Sequence, residues 1–172
     1  ADPYYKYNFC LHANETLLRL EHTPKIVIAA INGHCVGGGL EVALACDLRI
    51  ARRGRGKSGL PESKLGVLPG TGGTQRLVRI VGRAKAIELM ARAEVFEHER
   101  AVELGIFNEL FDADSAEDFL GQVLDYARTL TPPHAASRAN GFIKRAVQSG
   151  ADLPLGEGLA LERELQQRLF EG

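Results

Sequence analysis

The stretch Lys25 to Asn32, reading KIVIAAIN, restricts the fold more than any other part of the chain. It is short, apolar and β-branched, the pattern of a strand buried on both faces, as in a parallel sheet. A glycine-rich turn follows from Gly33 to Gly39, then Leu40 to Cys46 reads as a helix and Leu48 to Ala51 as the next strand. Strand, helix and strand in so few residues make a tight βαβ-like unit and place the chain in the α/β class.

The rest of the chain is mostly helical in pattern. Phe9, Ala13, Leu17 and Leu20 fall at helical spacing from Tyr5 to Leu20, and Thr23-Pro24 stops that helix. After a basic loop from Arg52 to Pro61 and a second glycine-rich loop from Gly66 to Gly73, helices are expected over Thr74–Val81, Arg83–Arg92 and His98–Leu104. Gly105 suits the end of the last of these. Ile106–Phe111 reads as a short strand, and Ser115 with Asp118 resembles a capping box for a helix running to Leu130. Pro132-Pro133 breaks the chain, with Pro133 suited to the first turn of a helix running to about Ser149. A final helix, Leu155–Phe170, carries Leu155, Leu159, Leu165 and Leu169 on one stripe.

Between Cys35 and Leu48 the only charged residues are Glu41 and Asp47. Glu41 sits in a helix that is apolar almost all round, hence buried. A buried carboxylate costs several kcal/mol unless it is paired, hydrogen-bonded or protonated. An ion pair with an arginine would satisfy that need. The preceding Gly37-Gly38-Gly39 points instead to chemistry, because backbone N–H groups without Cβ atoms can approach a ligand closely. The helix N-terminus that follows offers unpaired donors to a developing negative oxygen. Glu62, after Gly59-Leu60-Pro61, is the second carboxylate of interest, although its pattern alone also fits a surface residue. Two carboxylates near one site push their proton affinities apart, which suits one to acid and the other to base.

Other chemistries lack support. Gly54-Arg55-Gly56-Lys57-Ser58-Gly59 matches a dinucleotide-binding glycine pattern letter for letter, but Leu60-Pro61 stands where a helix should begin. Arg52, Arg53, Arg55 and Lys57 then read as a solvated turn. The histidines lack metal-ligand spacing and there is no GxSxG nucleophile elbow, so no metal site is expected. Cys10, Cys35 and Cys46 are odd in number and widely spaced, and read as reduced thiols among apolar neighbours. Lys and Arg number 21 against 22 Asp and Glu, which gives no basic field for nucleic acid or an anionic membrane. No apolar run approaches the roughly 18 residues that cross a bilayer.

Two blocks carry a family resemblance. The first is Pro24 to Glu41, PKIVIAAINGHCVGGGLE, continued by Ala45 to Ala51, ACDLRIA. The second is Gly59 to Glu62, GLPE, with Leu65 to Gly70, LGVLPG, and Gly72 to Leu77, GGTQRL; Ala101 to Asn108, AVELGIFN, follows. In this order they resemble the crotonase (enoyl-CoA hydratase/isomerase) superfamily over nearly the whole chain. The resemblance implies the C-terminal portion of a spiral of ββα turns through residues 1–111 and a helical C-terminal region over 112–172 used in trimer assembly. It implies Glu41 and Glu62 as catalytic carboxylates and Gly38 as an oxyanion-hole N–H. It further implies Gly37, Pro61, Leu65 and Gly70 as the substrate- and water-binding set, with Gly70 beside the catalytic water.

The implied reaction is hydration of a trans-2-enoyl-CoA to a 3-hydroxyacyl-CoA, with Glu41 as base and Glu62 as acid. No cofactor is implied, since the substrate brings its own coenzyme A. The implied assembly is a homotrimer or a dimer of trimers, and the implied location is the cytoplasm, or the mitochondrial matrix in a eukaryote. A crotonase-fold isomerase is the alternative enzyme; an RNA-binding or inactive scaffold member is the alternative outside catalysis. The chain opens at Ala1 without Met, and the resemblance implies that the family's first ββα turns and last helices lie outside it. One extra residue between Glu41 and Glu62 is expected in the Arg52–Lys57 turn.

Overall fold

The computed structural model describes residues 2–171. They form two compact units, one made of the residues up to Glu21 with Val27–Val123, the other of His22–Ile26 with the residues from Leu124 onward.

The first unit opens with α1 (Pro3–Glu21), followed by β1 (Ile28–Ile31), β2 (Cys35–Val36), α2 (Gly38–Leu44) and β3 (Leu48–Arg52). The βαβ expectation holds: β1 and β3 run parallel, Ile28 beside Leu48 and Ile31 beside Ala51. β6 (Glu109–Phe111) joins the other side of β3, also parallel. β3 is therefore the central strand, and Ile50 and Ala51 are fully buried. β1 is an edge strand of this sheet, so it is only partly buried rather than covered on both faces.

A second small sheet was not legible in the sequence. β2 pairs in parallel with β4 (Lys57–Gly59), and β4 pairs antiparallel with β5 (Val95–Glu97). The pattern Gly54–Gly59 thus leads into a strand, not a helix. Arg53, Gly54 and Arg55 form the exposed turn before it. Arg52 departs from the solvated-turn expectation: it is 7% exposed and its guanidinium donates to Ala113 O and Asn32 Oδ1. The end of β3 is buried beside β6, and the long side chain finds carbonyl partners there.

A 3-10 turn (Glu62–Leu65), α3 (Gly73–Val81), α4 (Arg83–Ala91) and α5 (His98–Glu103) complete the unit's core, which gathers Leu40, Leu44, Leu60, Leu77, Leu89, Phe96 and Ile106. Arg49 ties this core together. Its buried guanidinium donates to Ile106 O, Ala43 O and Cys46 O, holding the C-terminal end of α2 against the segment before β6. The expected cap of α6 (Ala116–Arg128) is present: Ser115 Oγ accepts from Asp118 N–H at 3.0 Å, and Asp118 accepts from Asp114 N–H.

In the second unit α7 (Ser137–Gly150) packs on α8 (Leu155–Phe170). Lys144 Nζ donates to Lys25 O at 2.9 Å, so the short His22–Ile26 segment lies against α7. Contrary to the expectation from sequence, Pro133 does not start α7; it lies in a turn in which His134 N–H bonds Thr131 O. Of the expected α8 stripe, Leu165 is buried while Leu155 and Leu159 are exposed. Among the described residues no helix is long and apolar enough to cross a membrane.

Candidate active site

The site grows from the turn into α2. Gly37 has φ 55° and ψ −132°, a backbone conformation that a side chain would strain. Its N–H bonds Gly59 O at 2.9 Å and its carbonyl accepts from Glu41 N–H at 3.0 Å. This fixes the first turn of α2 to the second sheet and brings Gly38 to the wall of a cavity of about 710 Å³. The first N–H groups of a helix have no carbonyl one turn back to bond.

Glu41 is 3% exposed, as its apolar helix requires. Among the described residues no arginine is seen to pair with it. Its Oε1 accepts two backbone N–H groups, Thr71 and Gly73, each at 2.8 Å. Its Oε2 accepts the Thr71 hydroxyl. Three donors converge on one group that, when ionised, can only accept. Gly73 matters through its lack of a side chain: a Cβ there would lie 3.0 Å from Glu41 Oε1 and 2.9 Å from Pro69 Cβ. The carboxylate and the backbone donor can meet only with hydrogen in that place.

Glu62 stands in the opposite situation. It begins the 3-10 turn, which α4 holds through Ser63 Oγ donating to Met90 O at 3.0 Å. Its Oε2 is buried with no hydrogen-bond partner among the described residues. Burial pushes its carboxyl above the usual range, with the charge of Glu41 adding in the same direction and a backbone hydrogen bond opposing. Its other oxygen lies against Gly37, where a Cβ would come within 3.2 Å of it.

The structure brings Gly38, Glu41, Glu62 and Gly70 to this one cavity, with Thr71 beside them. Phe9, Ala13 and Leu17 of α1 supply apolar lining. Gly37 and Pro61 support the lining without joining it, one before α2 and the other before the 3-10 turn. Leu65 does not join it either: it is 80% exposed at the end of that turn. Cys35, on β2, is buried and its thiol is pushed up to about 11, chiefly by desolvation, so it stays protonated and unreactive near neutrality. Sequence reasoning missed Thr71 and the Gly73 N–H, which stand 30 and 32 residues from Glu41 and carry no mark of their own.

Residues 6–172 match the family model described as enoyl-CoA hydratase/isomerase. The chain belongs to that family. It is 39% identical over 144 residues to the short-chain-enoyl-CoA hydratase of Clostridioides difficile, covering 84% of this chain and 88% of that protein. It is 38% identical over 155 residues to the enoyl-CoA isomerase/hydratase fer4 of Mycosarcoma maydis, covering 90% of this chain and 55% of that one. Among solved structures, an enoyl-CoA hydratase from Geobacillus kaustophilus superposes with a TM-score of 0.93 at 43% identity, covering all of this chain and 63% of its own. A Thermobifida fusca chain crystallised in complex with CoA superposes at 0.86 with 26% identity, over 99% of this chain and 65% of that one. The crotonase fold expected from the sequence is thus the fold of this enoyl-CoA hydratase/isomerase family member. The chain spans about half the length of several curated relatives and under two thirds of these solved chains.

Proposed function

We propose that this family member hydrates a 2-enoyl-CoA, with Glu41 as general base and Glu62 as general acid. The observation that carries the reading is the contrast between the two carboxylates of one cavity. Glu41 is surrounded by donors that suit a carboxylate, whereas Glu62 is half-buried, its Oε2 has no hydrogen-bond partner among the described residues, and its carboxyl is raised toward the protonated form. The Gly38 N–H is assigned to the thioester carbonyl oxygen, where charge builds as water attacks. Gly70 is assigned to the water's side of the cavity, and Gly37 and Pro61 to holding the two walls in place.

Glu41 takes a proton from water as the water oxygen bonds C3. The C2–C3 π electrons move toward the carbonyl, and Glu62 gives its proton to C2. One carboxyl has gained a proton and the other has lost one, so exchange with solvent restores both. This inventory closes with two carboxylates and water, so the proposed reaction calls on no cofactor beyond the CoA of the substrate. The resemblance further supports assembly as a trimer or a dimer of trimers in the cytoplasm or mitochondrial matrix.

The test is kinetic, in the full-length protein. The wild type should convert 2-enoyl-CoA to 3-hydroxyacyl-CoA. Glu41→Gln and Glu62→Gln should each lower kcat about 10²–10⁴-fold, the span of general acid–base catalysis, with CoA affinity retained. Near-normal turnover by both variants would refute the assignment. Interconversion of 2-enoyl- and 3-enoyl-CoA without hydration would identify an isomerase instead.

A further inference from the structure

We propose that Thr71 is a positioning residue for Glu41, and that its hydroxyl makes Oε2 the oxygen that receives the proton. This rests on the hydratase reading for its kinetic consequences, while the arrangement itself is a matter of geometry.

Oε1 of Glu41 already accepts the N–H groups of Thr71 and Gly73, both at 2.8 Å. A carboxylate oxygen has two favourable acceptor directions, so Oε1 is filled. A backbone N–H can only donate, so neither partner could adjust if a proton arrived there. Among the described residues Oε2 accepts the Thr71 hydroxyl alone, which leaves one acceptor direction open. A hydroxyl can both donate and accept by turning about its C–O bond. Among the described residues it is the one partner of Glu41 whose target oxygen keeps room for a proton. Thr71 also bonds both oxygens of the carboxylate at once, through its main chain and its side chain. That two-point hold fixes the carboxylate plane and aims the open direction of Oε2. The residue lines the same cavity as Glu41, Glu62 and Gly70.

In the proposed step the O–H bond of water breaks, its oxygen bonds C3 and its proton bonds Oε2 of Glu41. The proton takes the open direction of Oε2, so the Thr71 hydroxyl keeps its hydrogen bond to that oxygen from the other side. Nothing else is consumed, since Glu62 supplies the C2 proton and solvent exchange resets the pair.

Two substitutions test this. Thr71→Val keeps the shape and removes the hydroxyl; Thr71→Ser keeps the hydroxyl and removes the methyl. Loss of a hydrogen bond to a charged group predicts a fall in kcat of about tenfold to hundredfold for Thr71→Val. KM should stay within about twofold, because the carboxylate is not asked to bind the ground state more tightly. Thr71→Ser should recover kcat to within about threefold. Equal losses in both variants, or a KM effect alone, would overturn the proposal. A second readout needs no turnover: carbon-13 NMR of glutamate carboxyl carbons, with the Glu41 signal identified by its absence in Glu41→Gln. Thr71→Val should displace that signal and Thr71→Ser should leave it near its wild-type position. An undisplaced signal in Thr71→Val overturns the proposal whatever the kinetics. A displaced signal in Thr71→Val, together with a wild type that hydrates no enoyl-CoA, defeats the hydratase reading and leaves the Thr71 arrangement standing. Should Thr71→Val fail to fold, Thr71→Ala carries both readouts without the added methyl.

Discussion

Replacing Glu41 by alanine and by glutamine separates its structural burden from its chemical one. Alanine leaves the part-buried N–H of Thr71 and the buried N–H of Gly73 without their acceptor. An orphaned buried donor costs about 1–3 kcal/mol, so two orphans predict a loss of about 2–6 kcal/mol. The Thr71 hydroxyl can turn elsewhere and is left out of this sum. Glutamine keeps an oxygen for both N–H groups and turns its amide N–H₂ toward the hydroxyl, which can accept; its cost should stay under about 1 kcal/mol. Urea unfolding at neutral pH measures both, read as a shift in midpoint at constant slope. At roughly 2–4 °C per kcal/mol for a domain of this size, the alanine variant should also melt at least about 4 °C lower. An alanine variant within about 0.5 kcal/mol of the wild type would refute this, as would a glutamine variant destabilised as much as the alanine one. Either result would mean that the donors around Glu41 are not dependent on it.

Glu62 predicts a stability change that depends on pH. Its folded-state proton affinity is raised above the unfolded value, so the folded protein holds more protons than the unfolded chain between the two values, and stability falls as pH rises through that window. Glu62→Gln removes this loss: its Tm should match the wild type near pH 4 and exceed it increasingly toward neutrality, and a difference constant from pH 4 to 8 would contradict the burial of that carboxyl. Arg49→Met takes the donor from Ile106 O, Ala43 O and Cys46 O, and should cost about 2–4 kcal/mol in urea unfolding; less than about 1 kcal/mol would show that water replaces it.

The sequence shows those parts of the site whose chemistry is local. Glu41 stands out because a lone carboxylate interrupts an apolar helix, and its neighbours on the chain are enough to raise the question. What satisfies it is not local. Thr71 is one hydroxyl among many, and the Thr71 and Gly73 N–H groups are present in every non-proline residue. Glu62 is legible only through the motif around it, since a carboxyl after a proline is ordinarily a surface group. The same division holds for the fold. β1, α2 and β3 form a contiguous unit with strong apolar patterning, whereas β4 and β5 read KSG and VFE, too short to show a period. β4 pairs with β2 across 23 residues and with β5 across 36 to 40, so neither pairing shows locally. Arg52 was misread for that reason: a basic run looks solvated until a distant strand covers its first member.

The buried guanidinium of Arg49 also bears on how the first sheet finds its alignment. Strand faces alternate residue by residue, so a slip of one position in β3 would move Arg49 to the place of Ile50 and Leu48 to that of Arg49. The cation would then face the fully buried site of Ile50, and three carbonyls would face an isobutyl-like chain with nothing to donate. Apolar strands such as β1 can slide past one another at small cost when only hydrophobic contacts distinguish the registers. A single charged residue in the central strand turns that shallow choice into a steep one, and the alignment it selects is the one that sets α2, and with it Gly38 and Glu41, at the cavity.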